Sequence, residues 1–385
     1  MEPFLAVFKH YRLAVHKQIA TESFHQVPSA AEPIRSLYFD AEDLAYWTHV
    51  TEKPTDTTIS MAELSVLRDG IRSRAAYDAE DLLPFVEGIE GRSFSELIQS
   101  SLEVIQRARN REELGWCGFL ENWSIEFFPF LADAFPNSKF VVVVRDPRAV
   151  IASALAAPRE LRSTFLSYMR SIRKLLDMTL HFSADSRFAG RLCVVKHEAL
   201  VANPAQISAE ICTFLGEDYD SRMIDPSNHV VPGSSQLRDG VSSFEAHATG
   251  YDLRRTIRWK SVLEPEIIGL IHGCMGPELE LFGYLRQGEA AQLTWPVVGR
   301  ALQNPRLEVA APKWSIDMPS LAADYGAEIL RSQWLSLPLM EAGGLVDQVR
   351  RECFLSDTVA ELIRANACDG AVLPAWRNFD HVIAL

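Results

Sequence analysis

KFVVVVRDPRAVIAS, Lys139 to Ser153, is the stretch whose reading decides the fold. Its four consecutive valines, Val141 to Val144, make a β-branched apolar run too short for a helix. Such a run reads as a central parallel strand, buried on both faces. After Arg145, Asp146 and Pro147 supply the cap and first-turn residue of a helix, and Ala149, Val150 and Ala152 suit its body. A strand–turn–helix of this kind delivers Arg145 to the carboxyl edge of a sheet, where α/β proteins bind ligands. Arg148 and Ser153 follow on the helix, where backbone N–H groups and the dipole favour an anion. Guanidinium, hydroxyl and helix end together suggest a phosphate clamp. The plainer reading is a capped helix with a surface arginine.

Composition sets the limits around this stretch. At 385 residues the chain has room for one large domain with an appendage, or for two domains. A net charge of −13 argues against general nucleic-acid binding, which needs a broad basic surface. A local anion pocket is compatible with it. Arg145, Arg148, Arg159, Arg162, Arg170, Arg173 and Lys174 crowd together, opposed only by Asp146 and Glu160. Such a run is usually a solvated face, but this one adjoins the clamp. The six cysteines are scattered without a C-x-x-C pair or metal-ligand spacing, so they read as core residues in a reducing compartment and no metal site is expected. The N-terminus lacks the pattern of a signal peptide, and no apolar run is long enough to span a membrane. A cytoplasmic protein is expected.

Before the valine strand the pattern is helical. Phe4, Leu5, Phe8, Tyr11 and Val15 share one face, Ser60 and Glu63 make a capping box, and Leu97, Ile98, Leu102 and Ile105 mark another amphipathic helix. GIEGRS at 88–93 has two glycines but no apolar strand before it, so it does not read as a phosphate loop. Ile125, Phe128, Leu131 and Phe135 give a short helix leading into the strand. Beyond it, Phe165, Met169, Ile172, Leu176 and Leu180 predict a core-facing helix over 163–183. Leu192 to Val195 is a second strand, followed by a helix from Asn203–Pro204 that Gly216 closes. A further helix starts at Pro265 and is expected to end near Gly276. Helical spacing returns in 320–340 and 355–363.

VVVVRDPRAVIAS resembles the 3′-phosphate-binding segment of sulfotransferases that use 3′-phosphoadenosine 5′-phosphosulfate. The resemblance implies that Arg145 and Ser153 hold the donor's 3′-phosphate. KHEALVANPAQISAEICTFLG is similar to the family's Y-E-D-L-x-x-x-P…F-L-G block, with His197 in the place of the tyrosine beside the adenine and Ala199 in that of the aspartate. RRTIRWK is similar to the family's basic closing loop, which implies that Arg254, Arg255, Arg258 and Lys260 close on the donor's 3′-phosphate with Trp259 packed behind them in the donor site. In GFLENW, similar to G-x-K-E-x-W, Leu120 stands where the family has a lysine that assists transfer, and Glu121 is the candidate general base, with a solvated turn residue the equal alternative. The family's P-x-S-G-T-T loop for the 5′-phosphosulfate is not in the sequence. Truncation, a degenerate site and completion by another chain stay open as readings.

The resemblance thus implies an α/β fold, a P-loop-like parallel sheet flanked by helices. Residues 1–290 would form the sulfotransferase-like domain, with 1–115 helical on the acceptor side and 115–284 the family-like core. Residues 291–385 would be a mainly helical appendage for packing, for a second copy or for a protein partner. PKWSIDMP and the segments after it are faintly similar to the terminal part of asparagine synthetases, and no activity transfers from that. The function implied is sulfuryl transfer to a hydroxyl or amine of a small-molecule or natural-product acceptor, without nucleic acid, membrane or metal. The alternative is a degenerate relative that binds nucleotide or a partner without turnover. An unrelated P-loop kinase lacks support, because no G-x-x-x-x-G-K-S/T loop is present.

Overall fold

Apolar residues at helical spacing shape most of the chain, and the computed structural model is mainly helical. It describes residues 2–23, 41–52, 56–78, 80–108, 116–120, 124–156, 165–225, 251–286, 288–304, 307, 318–335, 353–369 and 383–384. These fall into two compact units, one of described residues up to Ser138 and one of those from Lys139 onward.

The first unit holds α1 (Glu2–Ser23), α2 (Ala41–Glu52), α3 (Met61–Asp78), α4 (Phe94–Ala108) and α5 (Phe128–Ala134). Phe8, Tyr11 and Val15 on α1 are fully buried, as their spacing predicts. Tyr11 meets Phe94 edge-on at 5.1 Å and Phe8 stacks on Phe127 at 4.4 Å, so aromatic contacts join α1 to α4 and to the turn before α5. The capping box forms: Ser60 N–H donates to the Glu63 carboxylate at 2.9 Å, and Glu63 N–H to Ser60 Oγ at 3.2 Å. GIEGRS serves packing. The Asp56 carboxylate fills the α4 N-terminus, accepting from the N–H groups of Phe94 at 2.8 Å and Ser95 at 3.3 Å.

The second unit carries a small sheet. β1 (Phe140–Val144) and β2 (Leu192–Lys196) are parallel, with Phe140 opposite Leu192 and Val144 opposite Lys196. β3 (Ile383–Ala384) joins β2 antiparallel. Between the two parallel strands run α6 (Pro147–Ala156) and α7 (Phe165–Ala184). After β2 come α8 (His197–Ala202), α9 (Pro204–Leu215), α10 (Arg254–Ile257), α11 (Trp259–Val262), α12 (Pro265–Leu281), α13 (Trp295–Leu302), α14 (Met318–Leu335) and α15 (Asp357–Asp369).

Three expectations change. The interior strand is β2, not the valine strand: Leu192 to Val195 are at most 1% exposed, whereas Val141 is 36% and Val143 53% exposed. Among the described residues β1 pairs on one side only, and its alternating exposure shows that its apolar run is buried on one face. Second, α12 does not stop at Gly276. Gly273 and Gly276 are small because a Cβ would lie 2.6 Å from the Leu293 and Ala290 side chains, so they mark close packing, not a terminus.

Third, the chain does not divide near residue 290. Leu293, Val298, Ala301, Tyr325 and Ile329 share one core with Ile151, Ala152, Phe165 and Leu270. A buried charge network reinforces it. Arg173 donates to Glu328 at 2.6 and 3.0 Å, Arg170 donates to Glu328 at 2.7 Å, and Arg331 donates to Glu278. Arg170 and Arg173, counted in the basic crowd near the clamp, are therefore spent on α14. Burial alone would raise the Glu328 carboxyl, but the two arginines outweigh it and hold it at about 2. No described helix is long and apolar enough to cross a membrane.

The depressed Glu328 carboxyl contributes stability that is present above its ordinary value of 4.5 and lost as pH falls toward 2. Glu328→Gln leaves Arg173 buried without its counter-charge, and it is expected to lower unfolding free energy by about 3 kcal/mol at neutral pH. Urea unfolding measures this. The gap between wild type and variant closes as pH drops from 4.5 toward 2; a gap unchanged with pH would contradict the assignment.

Candidate functional site

The two parallel strands end side by side, and their next residues are Arg145 and His197. Arg145 makes no hydrogen bond or ion pair among the described residues, and its Nε is buried without a partner. His197 starts α8, and its Nδ1 is likewise buried and unpartnered. Two buried nitrogens without partners thus lie at one sheet edge, at the carboxyl end of parallel strands where α/β proteins bind ligands. Burial lowers the His197 pKa and the charge of Arg145 lowers it further, so near neutral pH the ring presents a neutral face. Tyr168 on α7 is close enough for Arg145 to act on its hydroxyl, though burial dominates and pushes the phenol up.

Arg148 takes a different place from the one the sequence suggests. It is 6% exposed and faces inward. Its guanidinium grips Asp146 at 2.8 and 2.9 Å, donates to the Tyr284 carbonyl at 2.7 Å and lies 4.0 Å from the Trp259 ring centre. Nη1 sits 3.3 Å from His272 Nε2, a ring that burial and Arg148 keep low in pKa. The α6 N-terminus is occupied too, because Arg148 N–H donates to Asp146 Oδ1 at 2.9 Å. Two parts of the expected clamp, Arg148 and the helix end, are thus taken by Asp146. Arg145 remains, and Ser153 lies half-buried two turns into α6.

A local motif explains the capture. Asp-x-Arg recurs as Asp146–Arg148, Asp185–Arg187, Asp220–Arg222 and Asp252–Arg254, and each time the aspartate caps the following turn and pairs with the arginine side chain. The same geometry holds Arg254. It donates to Asp252 at 2.9 and 3.0 Å and its side chain is 87% exposed. Arg255, Arg258 and Lys260 line an open depression of about 430 Å³ with Arg254. α10 and α11 pack on α6, and Trp259 is buried beneath the Arg148 guanidinium. Glu121 lies outside the described residues. Leu120, in the place of the family's lysine, is 75% exposed.

Sequence reasoning missed Glu198 and Tyr284. Glu198 Oε1 accepts the Asp146 N–H at 3.0 Å, and Oε2 accepts the Tyr284 hydroxyl at 3.0 Å. One carboxylate thereby ties the end of β1, the start of α8 and the turn after α12. Burial, then Glu198, push the Tyr284 phenol up, which keeps it a donor. Glu198 holds the glutamate's place in the Y-E-D-L block, but nothing in the spacing links it to Tyr284.

A model described as the sulfotransferase family matches residues 18–221, which takes in α6, β2 and α8 and stops short of the RRTIRWK block. Over 167 residues the chain is 24% identical to the Caenorhabditis briggsae protein named "Putative protein-tyrosine sulfotransferase", covering 41% of this chain and 56% of that one. Over 190 residues it is 24% identical to carbohydrate sulfotransferase 3 of Mus musculus, covering 44% and 39%. The chain therefore spans 56% and 39% of the lengths of these relatives. No solved structure matches it.

The two arginines of RDPR should separate in a stability measurement. Arg148→Ala strands the buried Asp146 carboxylate and is expected to cost about 3–5 kcal/mol in urea unfolding. Arg145→Ala removes a side chain with no partner and is expected to stay within about 0.5 kcal/mol of wild type. Equal losses would contradict the division of roles.

Proposed function

The chain belongs to the sulfotransferase family, and from that premise we propose that it transfers a sulfuryl group from 3′-phosphoadenosine 5′-phosphosulfate to an acceptor hydroxyl or amine. The observation that carries this reading is Arg145, a half-buried cation without a partner among the described residues, beside the unpartnered Nδ1 of His197. In the proposed site Arg145 and Ser153 anchor the 3′-phosphate by charge-assisted hydrogen bonds, and the neutral His197 ring lies against the purine. Arg255, Arg258 and Lys260 add positive potential from the neighbouring depression. Bound there, the donor supplies the activated sulfuryl group; the chain's own work is to hold and orient it. Glu121 is assigned the acceptor's proton. Both relatives' names denote acceptors with hydroxyls, a tyrosine and a carbohydrate, which favours a hydroxyl over an amine. The P-loop-like class belongs to the same proposal, supported by a site at the carboxyl ends of two parallel strands.

Leu120 favours a second reading, binding without turnover, since an exposed leucine cannot stabilise charge developing on a bridging oxygen. Calorimetry with 3′-phosphoadenosine 5′-phosphate tests the donor site. Wild type is expected to bind, and Arg145→Ala to weaken binding about 10- to 100-fold. No binding by wild type would overturn the proposal. Sulfate transfer to a panel of hydroxyl acceptors, abolished by Glu121→Gln with binding retained, would support turnover; binding with no transfer would leave the second reading.

A further inference from the structure

Arg145 has two carboxylates close at hand and pairs with neither. Asp146 is the next residue in the chain, and Glu198 sits at the end of the adjacent strand with an oxygen on the Asp146 N–H. A half-buried guanidinium so placed would ordinarily collapse onto one of them, because an ion pair at short range in a partly dry site is worth more than solvation by a few waters. Asp146 is withheld by local geometry, since the Asp-x-Arg turn gives both its oxygens to Arg148. Among the described residues Glu198 has no arginine of its own. Its Oε1 takes the Asp146 N–H, and its Oε2 is held by the Tyr284 hydroxyl.

The tyrosine is itself fixed. Its carbonyl accepts from Arg148 at 2.7 Å, and the Lys196 ammonium lies 5.0 Å from its ring centre. Gly283, at φ +67°, makes the turn that brings Tyr284 to this position, and a Cβ there would come within 3.3 Å of the Lys196 ammonium. Neutral donors, not a cation, thus orient the glutamate and leave its charge available to attract Arg145 whenever the tyrosine's bond opens.

We propose that Tyr284 is a positioning residue that holds Glu198 away from Arg145, so that Arg145 stays unpaired for the donor's phosphate. Glu198 is then a latent internal competitor for the anion site. This rests on the reading of Arg145 as a donor anchor. Arg145 and Glu198 act in opposite directions on the His197 ring, which places both charges around one point.

The test uses the full chain, calorimetry with 3′-phosphoadenosine 5′-phosphate, and thermal unfolding of each variant. Tyr284→Phe removes the hydroxyl alone and is expected to weaken binding about tenfold. The double variant Tyr284→Phe/Glu198→Gln removes the competing charge while an amide oxygen can still accept the Asp146 N–H, and it is expected to recover to within about threefold of wild type. A hydroxyl with a merely structural role predicts that the second substitution deepens the loss. Unchanged binding in Tyr284→Phe, or no recovery in the double variant, would overturn the proposal. A wild-type chain that binds no nucleotide at all would instead remove the donor-site reading, and this inference with it.

Discussion

The pairing of Asp146 with Arg148 is the constraint on which the site depends. Both side chains are nearly dry, and neither charge is tolerable there alone. Because the partners are two residues apart, the turn that joins them must adopt one shape, with the aspartate capping α6 and the arginine folded back over Trp259. That shape ends β1 at Val144 and leaves Arg145, between the strand and the pair, at the carboxyl edge of the sheet. The arginine's hydrogen bond to the Tyr284 carbonyl fixes the turn after α12 against the same point. Removing charge from this pair would therefore move the strand end, the helix start and the tyrosine together.

Much of this was legible in the sequence where local rules decide. The β-branched run, the Asp–Pro helix start, the capping box at Ser60 and Glu63, and the Pro204 to Gly216 helix follow from short-range chemistry and form where expected. What was not legible depends on neighbours far along the chain. Four valines read alike in an edge strand and in a central one, and only pairing tells them apart. Gly276 looks like a helix stop until Ala290 is seen against it. Arg148, Arg170 and Arg173 looked like one basic face, yet their carboxylate partners, some more than 150 residues away, turn each of them inward. The Asp-x-Arg turn was readable in principle, and reading it would have removed Arg148 and Arg254 from the anion site at once.

Counting basic residues is thus a poor guide to an anion site in a chain of net charge −13. What distinguishes Arg145 is that the carboxylates around it are satisfied elsewhere, Asp146 by its own turn and Glu198 by a backbone N–H and a tyrosine. The C-terminal helices take part through the same economy: Glu328 and Glu278 absorb Arg170, Arg173 and Arg331, and so join α14 to the core that carries α6. Membership of the sulfotransferase family gives this unpaired arginine a chemical meaning, and the pairing around it gives a physical reason for its persistence.

A crystal structure of the chain with 3′-phosphoadenosine 5′-phosphate tests the central claim most directly. Phosphate oxygens are expected within hydrogen-bonding distance of the Arg145 guanidinium, the purine against His197, and Glu198 still bound to the Asp146 N–H and the Tyr284 hydroxyl. Arg145 paired with Glu198 or Asp146, or the nucleotide seated away from the carboxyl ends of β1 and β2, would contradict it.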